Sequence, residues 1–197
     1  MVMENIWSLP MCSDYKFSDS KSCRKNIKWS PPPPEFLKMN FDGTCRGNPG
    51  VSGYGAIIRD ESSDMLGAKF GPIGVSTNNI AEVTALEAGL EWCVEKGVHK
   101  VLIEGDSQVI LNGISNQQFT DWKLNCWILR IQHLIGHISN CSFIHSYREG
   151  NAAADYLANM GINSTCPKQL SAADEIPDAL LQILIREKSS IPRARIG

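Results

Sequence analysis

The sequence predicts an α/β domain built on a mixed β-sheet, and three observations carry that prediction. Three strand-like runs, 36–42, 53–60 and 64–70, follow one another with only turn residues between them, the pattern of an antiparallel meander. Ile80, Val83, Leu86, Leu90 and Val94 then recur near helical spacing, which marks a buried helical stripe. Val101, Leu102 and Ile103 stand in a row, as in a strand covered on both faces. Strands, helix, buried strand, helices, strand and helix is an order that a mixed sheet accommodates.

Taken in order, Met1 to Ser30 shows little periodicity and only isolated Trp7 and Trp29, so it reads as a disordered extension. Glu4, Asp14 and Asp19 count against an organelle transit peptide, because such peptides are poor in acids. Pro31 to Pro34 read as a stiff polyproline II spacer, without backbone donors, that closes an extension over 1–34. The domain is expected over 35–163. Leu37, Met39 and Phe41 alternate into Asp42-Gly43 and a Gly47-Asn48-Pro49-Gly50 turn, and the second strand starts near Gly53. Asn79 to Lys96 form the first helix, capped by Thr77 or Asn78 and stopped at Gly97.

Lys100 to Gly105 are the buried strand, Asp106 opens a short helix through Ile114, and a longer helix is expected over Asp121 to Ile138. Cys141 to Tyr147 alternate as a last strand, and Asn151 caps a final helix ending at Gly161. The 164–197 tail contains Pro177 to Arg186, an amphipathic stretch that reads as a short helix of one or two turns, expected to pack loosely or not at all.

Bulk properties narrow the function. A formal charge of −2 and a pI near 6.1 exclude a broad basic surface for nucleic acid, since phosphate contacts come mostly from Lys and Arg. Seven cysteines without a Cys-x-x-Cys pair and without a signal peptide point to free thiols in an intracellular, reducing compartment, nucleus or cytoplasm. No apolar run reaches the ~20 residues of a membrane span.

Four segments concentrate the chemistry: Asp42-Gly-Thr-Cys-Arg-Gly-Asn-Pro-Gly, Thr77-Asn-Asn-Ile-Ala-Glu82, Glu104-Gly-Asp106-Ser-Gln and Arg148-Glu-Gly-Asn-Ala-Ala-Ala-Asp155. In that order, over roughly residues 37 to 161, they resemble the signature segments of the type 1 ribonuclease H family. The Trp-x-Pro-Pro-Pro-Pro lead into Lys-x-Asn-x-Asp-Gly is similar to ribonuclease H-like domains of plant genomes related to non-LTR retrotransposon reverse transcriptases. The resemblance implies a ribonuclease H-like fold, a five-stranded mixed sheet with helices on both faces. It also implies a monomeric endonuclease that hydrolyses the RNA strand of RNA–DNA hybrids and needs no organic cofactor.

Each acid has an ordinary alternative: Asp42 a turn residue, Asp106 an N-cap, Glu82 a first-turn Glu favoured by the helix dipole, Asp155 a solvated helix residue. All four in register favour the functional reading. Clustered carboxylates hold hard dications, and two Mg²⁺ ions, with Mn²⁺ as substitute, can activate water and stabilise a leaving oxygen together. The resemblance assigns Gly43, Asn48, Thr77, Asn78, Ser107 and Gln108 to RNA-strand contacts, through 2′-hydroxyls or a nearby phosphate. It assigns Arg148 to the scissile phosphate or to product departure, ahead of His145, which is expected at a strand end.

One feature departs from bacterial members. Ser115 to Ile138 carries only Lys123 and Arg130 where those have a basic protrusion, so a weaker grip on the hybrid is expected. Trp127 is read as core and Trp122 as a candidate to stack on DNA sugars. His133 and His137, four apart without a third ligand, read as a solvated face. The competing hypothesis is a domesticated retrotransposon fragment, catalytically weak or inactive, that binds nucleic acid or protein through the same surface.

Overall fold

A computed structural model describes residues 28–172, 174 and 176–189. The expectation of disorder before residue 28 lies outside them. β1 (Leu37–Gly47), β2 (Gly50–Arg59) and β3 (Met65–Ser76) form the antiparallel meander. β4 (Lys100–Gly105) runs parallel to β1, and β5 (Asn140–His145) parallel to β4.

The strand order is β5-β4-β1-β2-β3-β6, so the sheet has six strands where the sequence suggested five. The addition is β6 (Lys168–Ser171), which pairs antiparallel with β3 from Gly67↔Ser171 to Phe70↔Lys168. It covers an edge that would otherwise present unpaired backbone groups.

The first hairpin is longer than its turn residues implied. β1 continues past Asp42 to Gly47, and the chain reverses at Asn48 and the cis-linked Pro49. Asp42 therefore sits inside a strand, opposite Gly55. The Asp42-Gly43 pair makes no turn because Gly43 lies against a helix: a Cβ there would stand 2.1 Å from the Glu82 amide nitrogen. Glycine is required at this point by the close approach, not by a bend.

One face of the sheet carries α1 (Asn78–Glu95), α2 (Gln108–Ser115) and α3 (Asn125–Ile135). Met39, Phe41, Ile58, Leu86, Leu90 and Ile131 are fully buried in the core beneath them. The opposite face carries α4 (Ala152–Ile162), over β2, and α5 (Asp178–Lys188), against α4. Ile57, Phe70, Ala154, Leu157 and Leu180 form the core there. Ile57 and Ile58 feed different cores, as side-chain alternation along β2 requires. Gly55 lets α4 approach closely, since a Cβ there would lie 2.4 Å from the Ala158 nitrogen.

Three expectations need correction. The loose tail is a strand and a helix, because Leu180 and Leu184 are buried at helical spacing against α4. Trp29 is not an isolated residue of a disordered lead but is buried against Arg59, which lies 3.7 Å from its ring centre. The long helix of 121–138 is a 3₁₀ turn, Trp122–Leu124, followed by α3. Asp121 breaks it by accepting from the Lys123 amide, the local competition that Asp offers a helix start. No helix among the described residues is long and apolar enough to cross a membrane.

Candidate functional site

Asp42 comes from the middle of β1, Glu82 from the first turns of α1 and Asp106 from just past the end of β4. Adjacent parallel strands and a helix seated on Gly43 bring the three together: one carboxylate oxygen from each lies within 4.8 Å of the other two. Asp42 and Glu82 are buried, 5% and 4% exposed. Glu82 Oε2 is a buried acceptor without a partner. Three converging carboxylates with an orphaned inward oxygen fit a hard divalent cation, which takes oxygen ligands and offsets their repulsion.

The electrostatics agree. Burial, reinforced by Glu82, Asp106 and Asp155, holds the Asp42 carboxyl well above the usual carboxylate range. Burial and the Asp106 charge push Glu82 up to about 8, against a hydrogen bond from the Gly43 amide and the Arg148 charge. Asp106 is raised by burial and lowered in part by Arg148. Desolvation and like charge both disfavour ionisation, so a bound cation would let the group ionise fully.

Asp155, on α4, lies outside this three-carboxylate group and receives Arg148 Nη2 at 2.8 Å. The guanidinium is largely exposed, and the pair with Asp155 raises its pKa. His145 ends β5, as expected, and its Nε2 lies 3.2 Å from the Asp106 carbonyl.

The polar candidates line up beside the acids in two groups. Asn48, at the hairpin tip, accepts from the Asn78 amide at 3.2 Å, while Thr77 caps α1 by accepting from the Ile80 amide. Ser107 occupies the N-cap position of α2 without a side-chain capping bond, so Asp106 is not the cap. Gln108 is exposed and bonds Asn112. His133, on α3, and His137, just past its end, are both exposed and meet edge to face. Trp127 is half-buried and donates to Glu87, whereas Trp122 is 76% exposed.

Asn151 corrects the sequence reading most directly. It does not cap α4 through its side chain; Nδ2 donates instead to the Phe41 carbonyl at 2.7 Å. Its own carbonyl accepts from the Asp155 amide. It thereby ties the strand residue before Asp42 to the helix turn that bears Asp155. An Asn ahead of an Ala-rich helix signals a cap in sequence, and nothing local distinguishes a bond across 110 positions.

Comparison with known proteins places this geometry among related chains. The family model described as reverse transcriptase-like matches residues 40–161. The ribonuclease H of Bordetella avium is 30% identical over 149 residues, covering 68% of this chain and 94% of its own. An Arabidopsis thaliana protein with ribonuclease H in its name is 31% identical over 172 residues, but this chain spans only 27% of its length. Among solved structures, the Halobacterium salinarum ribonuclease H1 aligns with a TM-score of 0.61 at 30% identity, over 65% of this chain and 98% of its own. A ribonuclease H1 crystallised in complex with an RNA/DNA hybrid aligns with a TM-score of 0.61 at 32% identity, over 64% of this chain and 96% of its own.

Proposed function

The chain belongs to the reverse transcriptase-like family of ribonuclease H relatives, and from that premise we propose that it is a divalent-metal-dependent endonuclease acting on the RNA strand of RNA–DNA hybrids. The observation that carries the proposal is the convergence of Asp42, Glu82 and Asp106 from three separate elements to within 4.8 Å. Isolated turn, cap and surface acids have no reason to meet, and buried like charges are costly without a counter-ion.

In this reading Asp42, Glu82 and Asp106 hold one cation, and Asp155 helps hold a second after releasing Arg148. Two Mg²⁺ ions, or Mn²⁺ in their place, supply an activated water and stabilise the leaving 3′ oxygen when bound. Cleavage leaves a 3′-hydroxyl and a 5′-phosphate. Arg148, exposed and freed from Asp155, orients the scissile phosphate or assists product departure through its planar donors. Gly43 brings backbone close to the sugar, and Asn48, Thr77, Asn78, Ser107 and Gln108 meet the RNA strand, where a 2′-hydroxyl distinguishes it from DNA. The active unit is a monomer without an organic cofactor.

One observation favours the second reading, a binding module with relic acids. Of the two cations between Ser115 and Ile138, Arg130 is held by Glu87 at 2.6 Å, which leaves little positive charge for gripping a duplex. A labelled hybrid incubated with Mg²⁺ or Mn²⁺ at low salt separates the two. RNA-strand cleavage lost in Asp42→Asn supports the enzyme; binding without cleavage by the wild type supports the module.

A further inference from the structure

We propose that Asn40 and Glu104 are a positioning pair that sets the separation of Asp42 and Asp106, an inference that rests on reading those acids as cation ligands. β1 and β4 run parallel with Asn40 opposite Glu104. Side chains repeat every second residue along a strand. Asn40 therefore shares a face with Asp42, one step behind it, and Glu104 lies two residues before Asp106, which follows the end of β4. Asn40 Nδ2 donates to Glu104 Oε2 at 3.0 Å. The bond crosses between the two strands directly behind the two acids that share an ion.

The pair is itself held on every side. Asn40 Oδ1 accepts from Trp29 Nε1 at 2.9 Å and from Arg59 Nη2 at 2.7 Å. Two donors on that oxygen fix the amide orientation and leave Nδ2 facing Glu104. Lys38 Nζ lies 3.3 Å from Glu104 Oε2. Arg59 is fully buried, its guanidinium against the Trp29 ring and one nitrogen on Glu187 of α5. Two parallel strands in a hydrophobic sheet do not need such a network for stability, since well-packed apolar side chains replace buried ion pairs at no loss. Its place behind Asp42 and Asp106 gives the charges a purpose: the bond fixes the spacing of the two strands that carry the acids, one layer beyond residues bonded directly to a metal ligand, whose loss commonly changes affinity by 10–100-fold.

Two conservative variants separate reach from charge. Glu104→Gln keeps the acceptor and removes the charge; Glu104→Asp keeps the charge and withdraws the acceptor by one methylene. Mn²⁺ affinity of the full chain is read by titration calorimetry at a temperature where circular dichroism shows each variant folded. Glu104→Gln is expected within about threefold of wild type and Glu104→Asp about tenfold weaker. Any other ordering, both tight, both weak or the Gln variant the weaker, overturns the inference. A wild type that binds no Mn²⁺ overturns the cation reading and this inference with it, whereas tight wild-type binding with an unaffected Asp variant overturns this inference alone.

Discussion

Asp42 is buried, with a carboxylate oxygen within 4.8 Å of oxygens of Glu82 and Asp106, and burial and like charge disfavour ionisation of the metal-free group. Glu82 keeps its proton up to about 8, against an ordinary 4.5. Below the ordinary value folded and unfolded chains are both protonated at this group and it has no effect. Between the two values the unfolded chain ionises and the folded chain does not, so metal-free stability falls as pH rises from about 4.5 to about 8. A cation that binds the folded state alone reverses the loss, and Mn²⁺ should raise Tm more at pH 8 than at pH 5. Asp42→Asn removes a carboxyl whose ionisation burial and its acidic neighbours oppose. It is expected to raise Tm in EDTA by roughly 2–8 °C while abolishing the Mn²⁺ shift and hybrid cleavage. Scanning fluorimetry with and without Mn²⁺ checks both, and an Asn variant that is less stable than wild type in EDTA contradicts the repulsion argument. Asn151→Ala tests the tie between the two ligand-bearing elements. It leaves the Phe41 carbonyl without its donor, at a cost of about 1–3 kcal/mol, and should lower kcat about tenfold at saturating metal, as single-turnover cleavage would show.

At the scale of elements, the sequence disclosed what repeats locally and hid what depends on distant partners. The meander, α1, β4 and α4 follow from alternation, helical spacing and a row of apolar residues; α1, β4 and α4 appear near the expected boundaries, whereas β1 and β3 run on to Gly47 and Ser76, past the expected ends at 42 and 70. The four acids were legible because their neighbouring residues resemble family segments, and the structure brings three into one group with Asp155 beside it. β6 was not legible, because four residues carry too little periodicity for a strand; α5 was legible as a short amphipathic stretch but its packing was not, since Leu180 and Leu184 gain meaning only once α4 offers a surface. Arg59, Trp29 and Glu187 were hidden for the same reason, since a buried arginine looks like any strand-end charge until its partners arrive from 30 residues before it and 128 after. Glu187→Ala strips that arginine of its carboxylate. Removing one partner of a buried pair costs about 3–5 kcal/mol, so urea unfolding should show a loss of that order, and a change under about 0.5 kcal/mol would mean that α5 is not part of the folded unit.

Across the whole molecule, charge would set how the proposed hybrid substrate is held. The chain has 19 basic and 21 acidic residues, and several cations are already committed: Arg59 to Glu187, Lys38 to Glu104, Lys69 to Glu95, Arg130 to Glu87 and Lys188 to Asp64. Binding to a duplex releases about 0.9 counter-ions for each phosphate neutralised. If two or three of the remaining cations among the described residues neutralise phosphates, the slope of log affinity against log salt should be about −2 to −3. Such a slope predicts weak binding that tolerates added salt, with uncharged groups such as Asn48, Asn78 and Gln108 carrying much of the recognition. Fluorescence anisotropy of Asp42→Asn with a labelled hybrid, in Ca²⁺ across a salt series, measures the slope without cleavage. A slope steeper than about −6 would reveal a basic surface outside the described residues, and deleting residues 1–27 would then flatten it.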